Sequence, residues 1–307
     1  MILVGVTGLC AATAASLLAR LGWPFELFSH FRVQYVAAGA LLAVCALASR
    51  QRTVAITAIA VSLLNSLNPD GGLGALRPAA AHSDCQGPQI TFVTANLYFR
   101  NGEHEQILDW LATHPADVVV LEEVTAEWAR ALARLPGYPY RAIRTREDPY
   151  GIALLATQAP ESMFWLDLAD DGVPAIGTDI EVQGRSLQVI GLHTQSPLRP
   201  DTWRARERSL ERAAQRSSYG GQPTVVLGDL NLSPDGPGFS KLLEAGHLVD
   251  TMAGNGWRPT WRADAWPLAI RIDHVLASPG LCVVGTEVGP DVGSDHRPVR
   301  VTLRLPR

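Results

Sequence analysis

The sequence predicts an α/β (α+β) protein built as a four-layer sandwich, two packed β-sheets flanked by helices, with a helical membrane region in front of it. Three observations predict this. Beyond residue 88, strand-like segments far outnumber helical ones, and many strands with three or four helices stack as sheets with the helices outside. That stretch, about 220 residues, is long enough to bury such a core. Before residue 68 the chain holds long apolar runs instead.

The apolar runs are Ile2 to Leu21, Val33 to Ser49 and Thr53 to Leu67, and Arg20 is the one charged residue inside them. A spanning helix needs roughly 17–25 apolar residues, so the first run fits, the second is marginal and the third is short. Residues 1–68 are therefore expected to form a membrane anchor of two to three transmembrane helices. Trp23 and Tyr35 suit the headgroup level. A cleaved signal peptide is the other reading of the first run. It lacks a basic start, and more apolar sequence follows it. With Arg50-Gln51-Arg52 cytoplasmic, three spans place the catalytic domain outside, whereas Arg20 and Arg32 argue for the opposite orientation. Residues 69–88, rich in Pro, Gly and Ala, read as a linker.

Residues 89–307 follow the pattern of one catalytic domain. Ile90–Ala95 and Asp117–Leu121 read as strands, Glu103–His114 as a helix ended by Pro115, and Thr125–Leu135 as a helix with Thr125 at its N-cap. Four or five strands follow between Tyr138 and Leu192, then an amphipathic helix from Asp201 to Ser217. Thr224–Leu227, Ile272–Leu276, Cys282–Val288 and Val299–Leu305 complete the strands.

Net charge is −4, whereas a protein holding duplex DNA mainly through its phosphates is usually more basic. It does not exclude a nuclease, whose active site needs only a local positive field. The four cysteines, Cys10, Cys45, Cys85 and Cys282, lack metal-site spacing. Cys85 and Cys282 form a disulfide if the domain faces an oxidising compartment and stay unpaired otherwise.

The informative residues sit at strand ends, where polar groups from several strands share one rim. One strand runs into Asn96, one into Glu122-Glu123, one into His193, and one into Gly228-Asp229-Leu230-Asn231. Ile272-Asp273-His274 begins a strand, and Ser294-Asp295-His296-Arg297-Pro298 precedes the last. Phosphoester hydrolysis needs this mixture. Hard cations take carboxylate oxygens. A carboxylate aims the water, and an imidazolium or amide steadies charge on phosphorus. An Asp–His hydrogen bond fixes the imidazole tautomer and favours its charged form. Taken singly, each piece also reads as a turn former, a solvated acid or a loop ion pair.

In order along the chain, the pieces resemble the endonuclease/exonuclease/phosphatase superfamily, whose members include deoxyribonuclease I. The resemblance rests on Thr94-Ala95-Asn96, Leu121-Glu122-Glu123-Val124, Tyr150-Gly151-Ile152-Ala153-Leu154-Leu155, His193-Thr194, Gly228-Asp229-Leu230-Asn231, Ile272-Asp273-His274-Val275 and Gly293-Ser294-Asp295-His296-Arg297-Pro298-Val299. Ser29-His30-Phe31-Arg32, Pro259-Thr260-Trp261 and the apolar N-terminus resemble its membrane-anchored bacterial branch. The resemblance implies Mg²⁺, or Mn²⁺, held by Glu123 with Asn96 and Asp295. It implies that Asp229 orients or deprotonates water, that Asn231 holds the phosphate or the water, and that His296 donates to the phosphoryl oxygen with Asp273 behind it. His193 contacts the phosphate from the other side. Leu230 replaces the usual Phe, and Glu122 replaces Gln, so either glutamate of the pair is a candidate ligand.

The expected activity is that of a membrane-anchored, metal-dependent phosphodiesterase acting on nucleic acid or a phospholipid headgroup. Its partner is the lipid bilayer, met through the N-terminal helices at a bacterial inner membrane with the catalytic domain extracytoplasmic. The competing expectation is a catalytically inactive, membrane-anchored scaffold, which loss of a motif residue would favour; none is lost.

Overall fold

The computed structural model describes residues 1–67 and 86–306, so most of the linker expected over 69–88 lies outside the described residues. The N-terminal unit comprises helices α1 (Ile2–Leu17), α2 (Glu26–Ser29), α3 (Arg32–Ala48) and α4 (Arg52–Ser66). Helices α1, α3 and α4 meet around Val6, Ala43 and Ala58. Gly39 lets α3 lie close against α4, because a Cβ there would stand 2.2 Å from Ser62 Oγ. Asn65 Nδ2 donates to Thr13 Oγ1 at 2.9 Å, tying α4 to α1.

The two to three transmembrane helices expected from the sequence need correction. Among the described residues no helix is long and apolar enough to cross a membrane. The three long helices have 16, 17 and 15 residues. At 1.5 Å per residue they reach roughly 22–26 Å, short of a hydrocarbon core of about 30 Å. The first apolar run continues to Leu21 in sequence, but α1 stops at Leu17 and the chain turns through Ala19–Leu21 to Gly22 at φ 89°. The outer faces stay apolar: Val4, Leu41, Val44, Ile56 and Leu63 are exposed.

The second unit comprises β1 (Gln89–Asn96), α5 (His104–Thr113), β2 (Val118–Glu122), α6 (Ala126–Leu132), β3 (Tyr140–Arg144), β4 (Ile152–Ala156), β5 (Ser162–Asp167), β6 (Pro174–Glu181) and β7 (Ser186–Leu192). It continues with α7 (Pro200–Ser218), β8 (Thr224–Asp229), α8 (Pro237–Gly246), β9 (Val249–Asp250), β10 (Asp273–Ala277), β11 (Cys282–Val288) and β12 (Val299–Arg304). One six-stranded sheet has the order β11-β12-β1-β2-β4-β3 and the other β5-β6-β7-β8-β10-β9.

Strand side chains alternate between faces, and here both faces are buried. Phe92, Val118, Val120 and Leu154 of the first sheet meet Val189, Val225, Leu227 and Val275 of the second. Val93, Val119 and Leu121 point the other way, onto Ile107, Leu111 and Trp128 of α5 and α6. Leu192 and Val226 likewise pack on Leu210, Ala213, Phe239 and Leu242 of α7 and α8. The four layers expected from the sequence are these. Thr125 caps α6 as expected, accepting from Trp128 N at 3.3 Å.

Helix α8 and strand β9 have no counterpart in the sequence reading. Gly236-Pro237-Gly238 looks like a helix breaker, yet Pro is tolerated in the first helical turn, where its missing N–H has no intrahelical partner to lose. Cys10 and Cys45 are free and Cys282 is disulfide-bonded; Cys85 lies outside the described residues.

Two parallel pairs place the rim. Strands β1 and β2 run parallel with Asn96 opposite Glu122, and β7 runs parallel to β8 with Gly191 opposite Leu227. Their C-terminal ends therefore share one edge of the sandwich. Strand β10 is antiparallel to β8 with Asp273 opposite Asp229, so a strand start reaches the same edge. Strand β12 is antiparallel to β1 and brings the loop before Val299 there too.

Candidate active site

The eight residues predicted from sequence converge on this rim. Asn96 is buried at the end of β1 and donates through Nδ2 to Glu123 Oε1 at 3.0 Å and to Asp229 Oδ2 at 3.1 Å. Its Oδ1 accepts from Tyr98 N at 3.0 Å, which fixes the amide. Glu123 Oε2 accepts from Phe99 N at 2.9 Å. Glu123 stands at φ 61°, a left-handed conformation that costs a β-carbon-bearing residue roughly 1–2 kcal/mol. Such strain persists where function needs the side chain aimed. The turn directs Glu123 out to the rim and Glu122 inward.

That difference separates the two glutamates. Glu122 is fully buried, accepts from Thr94 Oγ1 at 2.6 Å, and leaves its other oxygen without a partner. Burial pushes its pKa well above the ordinary carboxylate range, outweighing the Thr94 bond, and Asp273 and Asp229 push the same way. Its neutral form has the shape of a glutamine. Glu122→Gln is therefore expected to keep kcat within about threefold of wild type and to raise the melting temperature. Steady-state kinetics and thermal melts check this. A loss of activity as deep as that of a rim carboxylate variant would reverse the assignment of the pair.

Asp229 closes β8. Gly228 before it lies at φ 140°, and a Cβ there would meet Leu192 O at 1.9 Å, so only glycine lets β8 end against β7. Asp229 Oδ1 accepts from Asn231 N at 2.8 Å, which closes an Asx turn. Asp229 Oδ2 lies 3.4 Å from His193 Nε2 and 3.8 Å from His296 Nε2. Burial raises the Asp229 pKa to about 6, with Asp273 adding to the shift and the two histidines opposing it. Asn231, at φ 46°, turns Nδ2 to Thr194 O at 3.0 Å and to His193 Nε2 at 3.3 Å. His193 packs against the Tyr150 ring at 5.5 Å, and its Nδ1 is buried without a partner.

His296 Nδ1 faces Asp273 Oδ2 at 2.9 Å and Oδ1 at 3.1 Å. Burial alone would lower the imidazole's pKa, but Asp273 and Asp229 outweigh it and raise the value to about 10. The imidazole is thus a cation at neutral pH, its Nδ1–H donating to Asp273 and its Nε2–H facing Asp229. Asp229, Asp273 and His296 have the spacing of a metal site. Nδ1 of His296 is already engaged by Asp273, so the trio also reads as an Asp–His–Asp ion-paired cluster. His274, by contrast, is held neutral by burial, its pKa lowered to about 4, and Nε2 donates to Leu232 O at 2.8 Å. It serves packing and a local hydrogen bond.

Four supporting residues were not singled out for this role. Thr260 Oγ1 accepts from the backbone of Ile272 and Asp273 at 3.1 and 3.2 Å. Trp261 Nε1 donates to Asp295 Oδ2 at 3.2 Å. Ser294 Oγ bonds Asn96 O at 2.7 Å, and Thr94 holds Glu122. All four lie in segments that carried the resemblance: Thr94-Ala95-Asn96, Pro259-Thr260-Trp261 and Gly293-Ser294-Asp295-His296.

Glu123, Asn96 and Asp295 suit a hard divalent cation. The donors are all oxygen, and among the described residues no arginine or lysine ion pair is recorded on Glu123, Asp229, Asp273 or Asp295. Asp295 is half-buried, and burial raises its pKa, with Glu123 adding repulsion. Negative charge gathered with no arginine or lysine paired to it is what a divalent ion relieves.

A two-sheet sandwich with carboxylates, amides and an Asp–His pair at one edge is that of a phosphoesterase. The sequence profile of the Endonuclease/Exonuclease/phosphatase family matches residues 93–296, and the chain belongs to that family. Comparison with curated proteins gives no match. Among solved structures, zebrafish (D. rerio) TDP2 in complex with a single-strand DNA product is similar at 16% identity and TM-score 0.59, over 70% of this chain and 99% of that one. A Bacteroides thetaiotaomicron protein of the family is similar at 19% identity and TM-score 0.58, covering 72% and 97%. One from Beutenbergia cavernae is similar at 20% and 0.56, covering 71% and 72%. At these identities the likeness shows the fold.

Proposed function

We propose that the chain is a divalent-cation-dependent phosphodiesterase that cleaves a nucleic-acid or phospholipid-headgroup phosphoester by attack of water. The observation that carries this is His296 held against Asp273 at 2.9 Å, with Asp229 within reach of both His296 and His193. Asp229 orients the water and takes its proton. His296 Nε2–H and His193 donate to the phosphoryl oxygens, and Asn231 steadies the attacked group. The bound cation, Mg²⁺ or Mn²⁺ on Glu123 with Asn96 and Asp295, supplies charge neutralisation at the phosphate. All eight side chains are present in one geometry, which weighs against an inactive scaffold.

The similarity to the TDP2–DNA complex supports a nucleic-acid substrate. Exposed apolar side chains on α1, α3 and α4 support association of that unit with a bilayer, and hence a lipid substrate. Disulfide-bonded Cys282 supports placement on the oxidising, extracytoplasmic side of a bacterial membrane. The test is hydrolysis by the full chain of single- and double-stranded DNA, RNA and phospholipid vesicles, with Mg²⁺ or Mn²⁺. If all remain intact, the proposal fails.

Metal dependence gives a sharper expectation. EDTA should abolish turnover and Mg²⁺ restore it. Glu123→Gln, which removes one ligand charge, should raise the Mg²⁺ needed for half-maximal rate by about 10- to 100-fold. A titration with unchanged midpoint would move the ligand role away from Glu123.

A further inference from the structure

We propose that the N-terminal unit is a positioning element for the catalytic loop Asp229–Ser233, acting through Glu26–Arg206 on Asn231 and through His30 on Ser233. This rests on the reading of Asp229 and Asn231 as catalytic. Glu26 and His30 stand one helical turn apart at α2, and both are buried. His30 Nε2 lies 4.0 Å from Glu26 Oε1, and both side chains reach the catalytic unit. Glu26 Oε1 pairs with Arg206 Nη2 at 2.5 Å, and Glu26 Oε2 accepts from Trp203 Nε1 at 2.5 Å. Arg206, fully buried in α7, also donates from Nη2 to Glu207 Oε1 at 2.8 Å and from Nη1 to Asn231 O at 3.1 Å. His30 Nδ1 lies 2.8 Å from Ser233 Oγ and accepts from Ser233 N at 3.4 Å.

The loop needs this hold. Asn231 sits at φ 46°, a conformation maintained only when its surroundings determine it. The catalytic unit grips the neighbouring carbonyls itself: Thr194 Oγ1 donates to Leu230 O at 2.7 Å, and His274 to Leu232 O at 2.8 Å. The carbonyl between them is taken by Arg206, whose charge is balanced by Glu26 of the N-terminal unit together with Glu207 of its own helix. Burying an Arg–Glu pair in a protein core gains little stability over apolar packing. Its geometric effect is different: it joins residue 26 to residue 231 through one guanidinium. Docking of the N-terminal unit thereby sets the position of Asn231 and of Asp229, which Asn231 N bonds.

The test uses the full chain with Glu26→Gln, Arg206→Lys and, as control, Asn65→Ala, which weakens the helical unit away from α2. Glu26→Gln and Arg206→Lys are expected to lower kcat by about 10- to 100-fold with KM unchanged, and Asn65→Ala to leave kcat at wild type. Amide hydrogen exchange across 229–233 should quicken in the first two variants and not in the control. In an Asn231→Ala background, Arg206→Lys should add little further loss, whereas a merely structural role predicts additive losses. Wild-type kcat and wild-type exchange in Glu26→Gln, or additivity in the cycle, overturns the proposal. Exchange reads the loop without turnover, so a wild-type chain that cleaves nothing counts against the catalytic reading alone. If Arg206→Lys fails to fold, Glu26→Gln and His30→Ala carry the same measurements.

Discussion

Asparagine at position 229 is expected to lower turnover by about 10²- to 10⁴-fold without lowering the melting temperature by more than a few degrees. Asp229 Oδ2 is the atom on which Asn96, His193 and His296 converge, at 3.1, 3.4 and 3.8 Å. Asparagine keeps the shape but cannot take a proton from water. Stability behaves differently. Burial raises the Asp229 pKa from 3.8 to about 6, so the folded state holds the ionised carboxylate at a cost. The shift corresponds to an electrostatic cost on the order of 3 kcal/mol, fully present above about pH 6. Asparagine removes that cost, which offsets the donor–donor contact its amide makes with Asn96 Nδ2. Kinetics and thermal melts at pH 7.5 test both halves. Full activity in Asp229→Asn would remove the general-base role. For the wild type, the same raised value predicts a rate that climbs with pH through about 6 as the carboxylate forms.

The strand ends made much of this site legible in sequence. Each of Asn96, Glu123, His193 and Asp229 ends or follows an apolar strand, and a strand's direction fixes which edge its end reaches. Asp273 was readable only through its motif, since a residue that begins a strand reaches that edge only if the strand is antiparallel to β8. The Glu122/Glu123 ambiguity could not be resolved from spacing, because a positive φ at one residue, not strand alternation, decides which side chain faces the rim. Helix α8 was missed because its opening Pro and Gly are read locally as breakers.

The N-terminal unit shows the opposite limit. Apolarity announced helices and gave nearly correct ends for α3 and α4, but it could not set where α1 stops, and that end decides the reach of the helix. Ser29-His30-Phe31-Arg32 was visible as a motif without a role. Its role depends on Ser233, 203 positions along the chain, and on Glu26 meeting Arg206, 180 positions away. No periodicity reports contacts of that range.

His296→Ala is expected to lower kcat by about 10²- to 10³-fold, the scale for losing one donor to a developing oxyanion. Asp273→Asn tests whether the cationic state matters apart from the presence of the ring. His296 is raised to about 10 against burial because Asp273 and Asp229 surround it. A raised histidine holds its proton until pH passes the folded value, so wild-type activity should persist into alkaline solution and fall as pH rises through about 10. Removing the Asp273 charge leaves burial opposed by Asp229 and Asp295, so the imidazole releases its proton at lower pH. The alkaline limb of kcat should therefore move down in Asp273→Asn, with a smaller loss at the optimum than in His296→Ala. The folding contribution of the pair follows the same sign: present below the ordinary histidine pKa and lost as pH rises through about 10. An alkaline limb left in place by Asp273→Asn would mean that His296 acts as a neutral donor, and the Asp–His pair would then orient the ring without charging it.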